Sequence, residues 1–396
     1  MSGRPWLLVG LSVRPLAQAA AAAGHAVCAI DAFADRETRA ACAGRVVRLP
    51  LRDGWRIAAA DLGEALGSAR RRHAAGGFAG IATCAGFDGQ PDQFELLARA
   101  APLAGNSAAV VRAVRPPLRW FALLDRIGAP YPATCLNPPA APRGWLIKSA
   151  GGSGGWHVRR WQPQLPVPAD AYFQRHAAGR AASALFVADG RTARVIGWQW
   201  HIHAPAPGLP WRYGGVMTAN DLAVAVRQRV ESTIDAIVAE TALRGLCGLD
   251  FLVDGEDIGM LELNPRPTAS VALYAHGDLF GMHLDGVAGR LPDSVPLPAV
   301  PAAGEAVLYA PLPLAAGASF AWPPWCSDVP PRAAAFRIGD AVCTVRASAA
   351  SPHALLARLA HRLRRLLIQL KEHGPHDRPA PQRQRACRTV GPIPGR

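Results

Sequence analysis

The first hundred residues alternate between short apolar runs and longer mixed stretches. Trp6–Gly10, Ala26–Asp31 and Phe78–Thr83 have the length and composition of buried strands, and Arg14–Gly24 reads as a helix that stops at a glycine. This is the rhythm of an open parallel βαβ sheet. Asn106–Gly128 then predicts helices interrupted by Pro116 and Pro117, with a Pro-rich connector from Pro130 to Pro142. Strands are expected at Trp145–Ser149, Trp156–Arg160, Tyr172–Gln174, Ser183–Ala188 and Ala193–Ile202, and a long Pro-free helix at Asp221–Leu243. Cys247–Val253 and Ile258–Leu263 are two further strands, joined by the tight-turn signal Asp-Gly-Glu-Asp. Glu305–Arg346 predicts short strands between Pro-rich loops, and His353–Glu372 an amphipathic helix. From Gly374 the chain is rich in Pro, Gln and Arg, which predicts disorder. The reading divides the 396 residues into 1–104, 105–290, 291–373 and a basic tail, 374–396.

Composition narrows the function classes. No apolar run approaches the roughly 18–20 residues that span a bilayer, and the N-terminus lacks a signal-peptide pattern, so a cytoplasmic protein is expected. The eight cysteines contain no C-x-x-C pair, which argues against a zinc knuckle or redox motif. The net charge is +14, but residues 351–396 hold ten basic and two acidic side chains, or +8 of that excess. The tail from 374 has no aromatic residue to stack on bases, so neither nucleic acid nor membrane is an expected partner. The first strand–helix turn, Gly-Leu-Ser-Val-Arg, is not G-x-G-x-x-G and does not support a dinucleotide site. Of 43 basic residues only Lys148 and Lys371 are lysines; under such a bias a retained lysine suggests a task for a compact ammonium.

Three segments carry candidate chemistry. Lys148 ends an apolar strand and is followed by Gly151, Gly152, Ser153, Gly154 and Gly155. Such a loop is either a hairpin turn or a cradle whose amides approach phosphates closely beside the lysine. Asp250 and Glu262 lie on consecutive predicted strands, which the turn at 254–257 would set side by side. Asn264, two residues on, shares the face of Glu262. Two carboxylates and an amide at one strand end suit Mg²⁺ or Mn²⁺. Repulsion within that pair implies that Glu262→Gln would stabilise the ligand-free protein. Arg266 leaves the same strand end, placed either to pair with Glu262 or to reach a transferring phosphate. Arg14, at the first strand–helix turn, is either a plain helix-start residue or a binder of a substrate carboxylate.

Together, Ile-Lys-Ser-Ala-Gly-Gly-Ser-Gly-Gly, Gly-Leu-Asp-Phe and Leu-Glu-Leu-Asn-Pro-Arg resemble the ATP-grasp superfamily, whose grasp domain also occurs in biotin carboxylase and D-alanine–D-alanine ligase. The match extends over roughly residues 1–290. It implies an α/β ATP-grasp fold: a parallel pre-ATP-grasp domain (1–104), the ATP-grasp domain (105–290) and a small α+β extension (291–373). It implies ATP and Mg²⁺, with Lys148 and the glycine loop on the phosphates, Asp250, Glu262 and Asn264 on the metal, and Arg266 as the catalytic residue. Gln174, Arg175 and His176 stand in the segment that holds adenine in the family. The implied activity is ligation of a small-molecule carboxylate to an amine through an acyl phosphate; the alternative is a phosphotransferase on the same fold. Ser327-Asp-Val-Pro-Pro and Ile338-Gly-Asp-Ala-Val-Cys-Thr-Val-Arg are similar to predicted ATP-dependent carboligases, some linked to one-carbon carrier coenzymes. Such enzymes can be oligomers.

Overall fold

Every residue of Val27–Asp31 is buried, as a strand covered on both faces by helices requires. This strand (β2) pairs in parallel with β1 (Trp6–Gly10) and β3 (Val46–Arg48), and β1 pairs with β4 (Ile81–Thr83), giving the order β3-β2-β1-β4. The connecting helices are α1 (Arg14–Ala22), α2 (Arg36–Ala41) and α3 (Ala59–His73); α4 (Gln93–Ala100) follows the sheet. The structure, a computed structural model, describes residues 3–52, 56–74, 76–274, 277–295 and 300–373. The tail expected to be disordered lies outside these residues.

Pro116 and Pro117 do interrupt the next helical stretch. Helix α5 (Ala108–Val114) is capped by Ser107, and α6 (Pro117–Arg126) starts with proline in its first turn. A small antiparallel sheet follows, ordered β5-β8-β6-β7, from β5 (Thr134–Cys135), β6 (Trp145–Ser149), β7 (Arg159–Arg160) and β8 (Ala171–Arg175). Expected strand Trp156–Arg160 is reduced to two residues because 151–157 is taken up by the glycine-rich turn.

The main sheet is antiparallel throughout. It contains β9 (Arg180–Asp189), β10 (Ala193–His203), β11 (Tyr213–Thr218), β12 (Arg244–Asp254), β13 (Asp257–Asn264), β14 (Ala302–Tyr309), β16 (Cys326–Ser327) and β18 (Ala341–Ala349), ordered β13-β12-β9-β10-β11-β14-β18-β16. Residues 291–373 therefore do not stand apart: β14, β18 and β16 prolong the sheet begun by β9–β13. Helix α7 (Val224–Thr241) buries Val226, Val230, Ile234, Ile237 and Val238, one apolar stripe at helical spacing. Helix α9 (Pro352–Glu372) lies against β14 and β18 and buries Leu355, Leu359, Leu366 and Leu370. The short pair β15 (Leu314–Ala316) and β17 (Ala334–Phe336) fills the connection. Among the described residues no helix is long and apolar enough to cross a membrane.

Two buried side chains tie the N-terminal region to the main sheet. Asn106 donates to the carbonyls of Arg244 and Pro265, both at 3.0 Å, and accepts from the Arg244 amide at 2.9 Å. His283, on α8 (Leu279–Val287), accepts from the Leu246 amide at 2.9 Å, and its other ring nitrogen lies 2.8 Å from the Ala104 carbonyl. The pattern assigns a neutral ring, and burial lowers the pKa of His283 to about 4. Because Asn106 also holds the carbonyl before Arg266, Asn106→Ala is expected to cost about 2–4 kcal/mol. Urea unfolding of the two proteins measures this; an unchanged midpoint would show that water replaces the amide freely.

Candidate active site

The site lies between the small sheet and the open end of β12 and β13. The turn at Asp254–Asp257, with Gly255 at φ +60°, folds these strands so that Asp250 faces Glu262 and Gly248 faces Asn264. A bulge after Asp250 skips Leu261, whose carbonyl is freed to accept from the Trp120 indole at 3.0 Å. The carboxyl groups of Asp250 and Glu262 are within hydrogen-bonding reach. Asn264 donates to Asp250 at 3.5 Å, and its oxygen accepts from Arg266 at 3.0 Å. From the small sheet, Lys148 donates to Gln174 at 2.7 Å. The two residues lie diagonally on neighbouring strands, Leu146 opposite Gln174 and Lys148 opposite Tyr172.

Burial and the neighbouring Glu262 raise the pKa of Asp250 well above the carboxylate range. Burial also pushes Glu262 upward, but Arg115, His157 and Lys148 outweigh it and keep Glu262 below its ordinary value. The Arg115 guanidinium lies 3.3 Å from Glu262 and also donates to the Leu263 carbonyl at 3.0 Å. Burial lowers Lys148 to about 8, against the opposing pull of Glu262 and Asp250. His201 lies 3.9 Å from Asp250 and is pushed down to about 4, chiefly by burial. One carboxylate is thus compensated by cations while its neighbour lacks a full partner, the electrostatic condition for taking up a further cation.

The glycine loop is shaped by contacts that exclude side chains. Gly154 and Gly155 have φ of +65° and +71°, and a Cβ on Gly155 would lie 2.0 Å from the Trp211 carbonyl oxygen. A Cβ on Gly152 would meet the His157 ring at 2.0 Å. The Gly151 amide reaches Asp170 at 3.3 Å, and the Gly154 carbonyl accepts from Tyr213 at 2.8 Å; Ser153 is exposed at the tip.

Lys148, Gln174, Asp250, Glu262, Asn264 and Arg266 therefore converge in space. Three other candidate side chains are directed elsewhere. Arg175, on the opposite face of β8 from Gln174, donates to the Arg143 carbonyl at 3.0 Å and lies over the Trp145 ring. His176 rests against the Trp211 ring, 5.6 Å between centroids. The amides of residues 175 and 176 are engaged by the carbonyls of Ala133 and Gly144, so any adenine contact there falls to other backbone groups. Arg14 is not open to a substrate carboxylate. It is 3 % exposed and paired with Asp328 at 2.7 Å and Glu305 at 3.3 Å. Arg266 pairs with Asp88 rather than Glu262, through contacts of 2.8–3.1 Å. Sequence reasoning missed Asp88, Arg115 and His157. Asp88 follows β4, where an acid at the carboxyl end of a parallel strand is a recognisable signal. Arg115 has no local signal; it reaches the site from the end of α5.

Among the described residues no three His, Cys, Asp or Glu side chains form a metal cage. Asp250, Glu262 and Asn264 supply two carboxylates and one amide, which fits an ion completed by phosphate oxygens and water, as Mg²⁺ prefers. Coordination by the Asn264 oxygen requires that amide to turn away from Arg266.

Residues 118–270 match the family model of the ATP-grasp domain. Among solved structures, the chain is similar to N5-carboxyaminoimidazole synthase from Aspergillus clavatus, in complex with ADP and 5-aminoimidazole ribonucleotide: TM-score 0.65 and 14 % identity over 92 % of this chain and 99 % of that one. L-amino acid ligase from Bacillus licheniformis gives 0.65 and 14 % over 92 % and 98 %. Biotin carboxylase from Campylobacter jejuni gives 0.67 and 12 % over 90 % and 90 %. At these identities the likeness establishes the shared fold.

An anion bound beside Lys148 raises its pKa, so a nucleotide binding at pH 8–9 should take up a proton and bind more weakly as pH rises through 8. Calorimetry in buffers of different ionisation heat reads this; a heat independent of buffer excludes Lys148 as the group. The Arg115 contact reverses the stability expectation for Glu262→Gln. That variant leaves Arg115 and Lys148 without their carboxylate and should unfold at lower temperature, whereas Asp250→Asn should match or exceed the wild-type protein. Equal loss in both variants would reject this division of charge.

Proposed function

We propose that this protein, whose residues 118–270 match the family model of the ATP-grasp domain, is an ATP- and Mg²⁺-dependent carboxylate–amine ligase that works through an acyl phosphate. The observation that supports it most is the facing arrangement of Lys148 and Gln174 with Asp250, Glu262, Asn264 and Arg266 across one cleft. Lys148 and the loop 151–155 bind the triphosphate. Asp250, Glu262 and Asn264 are the residues that would hold the metal, which when bound supplies positive charge to the β- and γ-phosphates. A substrate carboxylate oxygen attacks the γ-phosphorus, the bond to the bridging oxygen breaks and ADP leaves. Arg266 steadies charge on the transferring group. The amine then attacks the acyl carbon, phosphate leaves, and the amine loses a proton. The protein contributes position and charge rather than a covalent nucleophile. Similarity to structures named as an L-amino acid ligase and a carboxyaminoimidazole synthase agrees with C–N bond formation. The resemblance of the C-terminal segments to carboligases linked to one-carbon carriers directs the choice of acids and amines toward building blocks of those coenzymes.

A screen of acid–amine pairs for ADP release tests the proposal, with hydroxylamine as a small nucleophile that traps an acyl phosphate as hydroxamate. ADP is expected only with an acid present, and amide only with the amine as well. A stable phosphorylated product that no amine consumes would favour the phosphotransferase instead. Lys148→Arg should lose most of the turnover despite keeping its charge, because the guanidinium fork is bulkier beside Gln174. Normal turnover in that variant would remove Lys148 from the phosphate site.

A further inference from the structure

The segment Gly86-Phe87-Asp88-Gly89 belongs to the N-terminal domain, yet it meets two parts of the cleft contributed by distant chain. On one side, Asp88 grips Arg266 side-on: the guanidinium Nε lies 3.1 and 3.0 Å from the two carboxylate oxygens, and Nη2 lies 2.8 Å from one of them. Both side chains are buried, at 10 % and 6 % exposure. Nη2 also reaches Asn264, while Nη1 makes only a 3.3 Å contact with the Pro267 carbonyl. Asp88 thus occupies one edge of the guanidinium and leaves the Nη1 end less committed. On the other side, Gly89 touches the glycine loop backbone to backbone, and a Cβ on Gly89 would lie 2.8 Å from the Gly151 Cα. The segment itself is anchored. Phe87 is 1 % exposed and packs edge-on against Phe94, and Gly86 adopts φ +117° with Leu11 and Ile57 against it.

We propose that this segment is part of the reaction machinery: Asp88 is a positioning residue that aims Arg266 at the transferring phosphate, and Gly89 is the seat on which the phosphate-binding glycine loop closes. A long arginine side chain gains little from one contact at its tip, because it must still be ordered. Two parallel charge-assisted bonds along one edge fix the plane and direction of the guanidinium before nucleotide arrives. An interdomain salt bridge with no further role would need neither the side-on grip beside Asn264 nor a glycine at position 89. The proposal rests on the ATP-binding part of the reading above and is independent of the acid and the amine.

The test is equilibrium binding of Mg²⁺–AMP-PNP and Mg²⁺–ADP to the full chain by calorimetry. Only the triphosphate analogue offers a phosphate to Arg266, so the wild-type protein should prefer it. Asp88→Asn should cut that preference about tenfold, the scale of one charged hydrogen bond, and leave ADP affinity unchanged. Arg266→Gln should lose the same preference, and adding Asp88→Asn to it should change nothing more. Gly89→Ala should weaken both nucleotides alike. A merely structural pair would shift the melting temperature and leave the preference intact. The proposal is overturned by a wild-type protein without the preference, by Asp88→Asn that retains it, or by additive effects in the double variant. It is equally overturned by Gly89→Ala binding both nucleotides normally. If Asp88→Asn alone does not fold, the double variant, which removes both buried charges, is compared with Arg266→Gln; a further loss of preference overturns the proposal. Absence of ADP release with every acid–amine pair would count against the ligase reading and leave this preference unaffected.

Discussion

Two carboxylates on facing strands, Asp250 and Glu262, impose the constraint around which the cleft is organised. Like charges so close cannot both ionise without compensation. Arg115 and Lys148 supply it for Glu262, and Asp250 is left less fully compensated. The consequences spread outward. Burial lowers the pKa of Lys148 to about 8, so its charge responds to whatever anion arrives. Asn264 spans Asp250 and Arg266, and Arg266 is in turn secured by Asp88. Groups of both signs meet in the cleft, brought there by segments distant in the chain.

Much of this was legible because it is local. A two-strand hairpin with side chains of period two puts Asp250, Glu262 and Asn264 on one face, and the structure has that register. Trp6–Gly10 and Trp145–Ser149 form over the residues their apolar patterns indicate. Other features depend on contacts between distant segments. The pairing of Arg115 with Glu262 spans 147 residues and that of Arg266 with Asp88 spans 178. Nothing in the periodicity around Arg115 or Asp88 encodes such a meeting. The two readings of Arg14, a plain helix-start residue or a binder of a substrate carboxylate, stay open in the sequence for the same reason: only the tertiary fold brings Glu305 and Asp328 to it.

Arg14 and Arg266 act as two clasps between the N-terminal domain and the rest of the chain. The Arg14 clasp is far from the Asp250–Glu262 pair in sequence and includes Asp328, a non-glycine residue at φ +57°, so its backbone is strained where it turns toward the arginine. Burial raises the pKa of Glu305, and Arg14 opposes that rise. The Arg266 clasp sits on the cleft itself. One therefore fixes where the N-terminal domain rests, and the other ties that resting position to the cleft.

The main sheet carries a consequence for handling the protein. Strands β14, β18 and β16 come from the last quarter of the described chain, yet β14 is the hydrogen-bonded neighbour of β11. A fragment ending near residue 290 would retain the whole family-matched region and still leave β11 with an unpaired row of amides and carbonyls, flanked by buried Val216 and Met217. Such an exposed apolar edge is a template for intermolecular strand pairing. In the intact chain this side of the sheet instead ends on the two-residue strand β16, a much shorter edge. The C-terminal segment thus covers an apolar edge, and the sheet extends well beyond the segment that the family model matches.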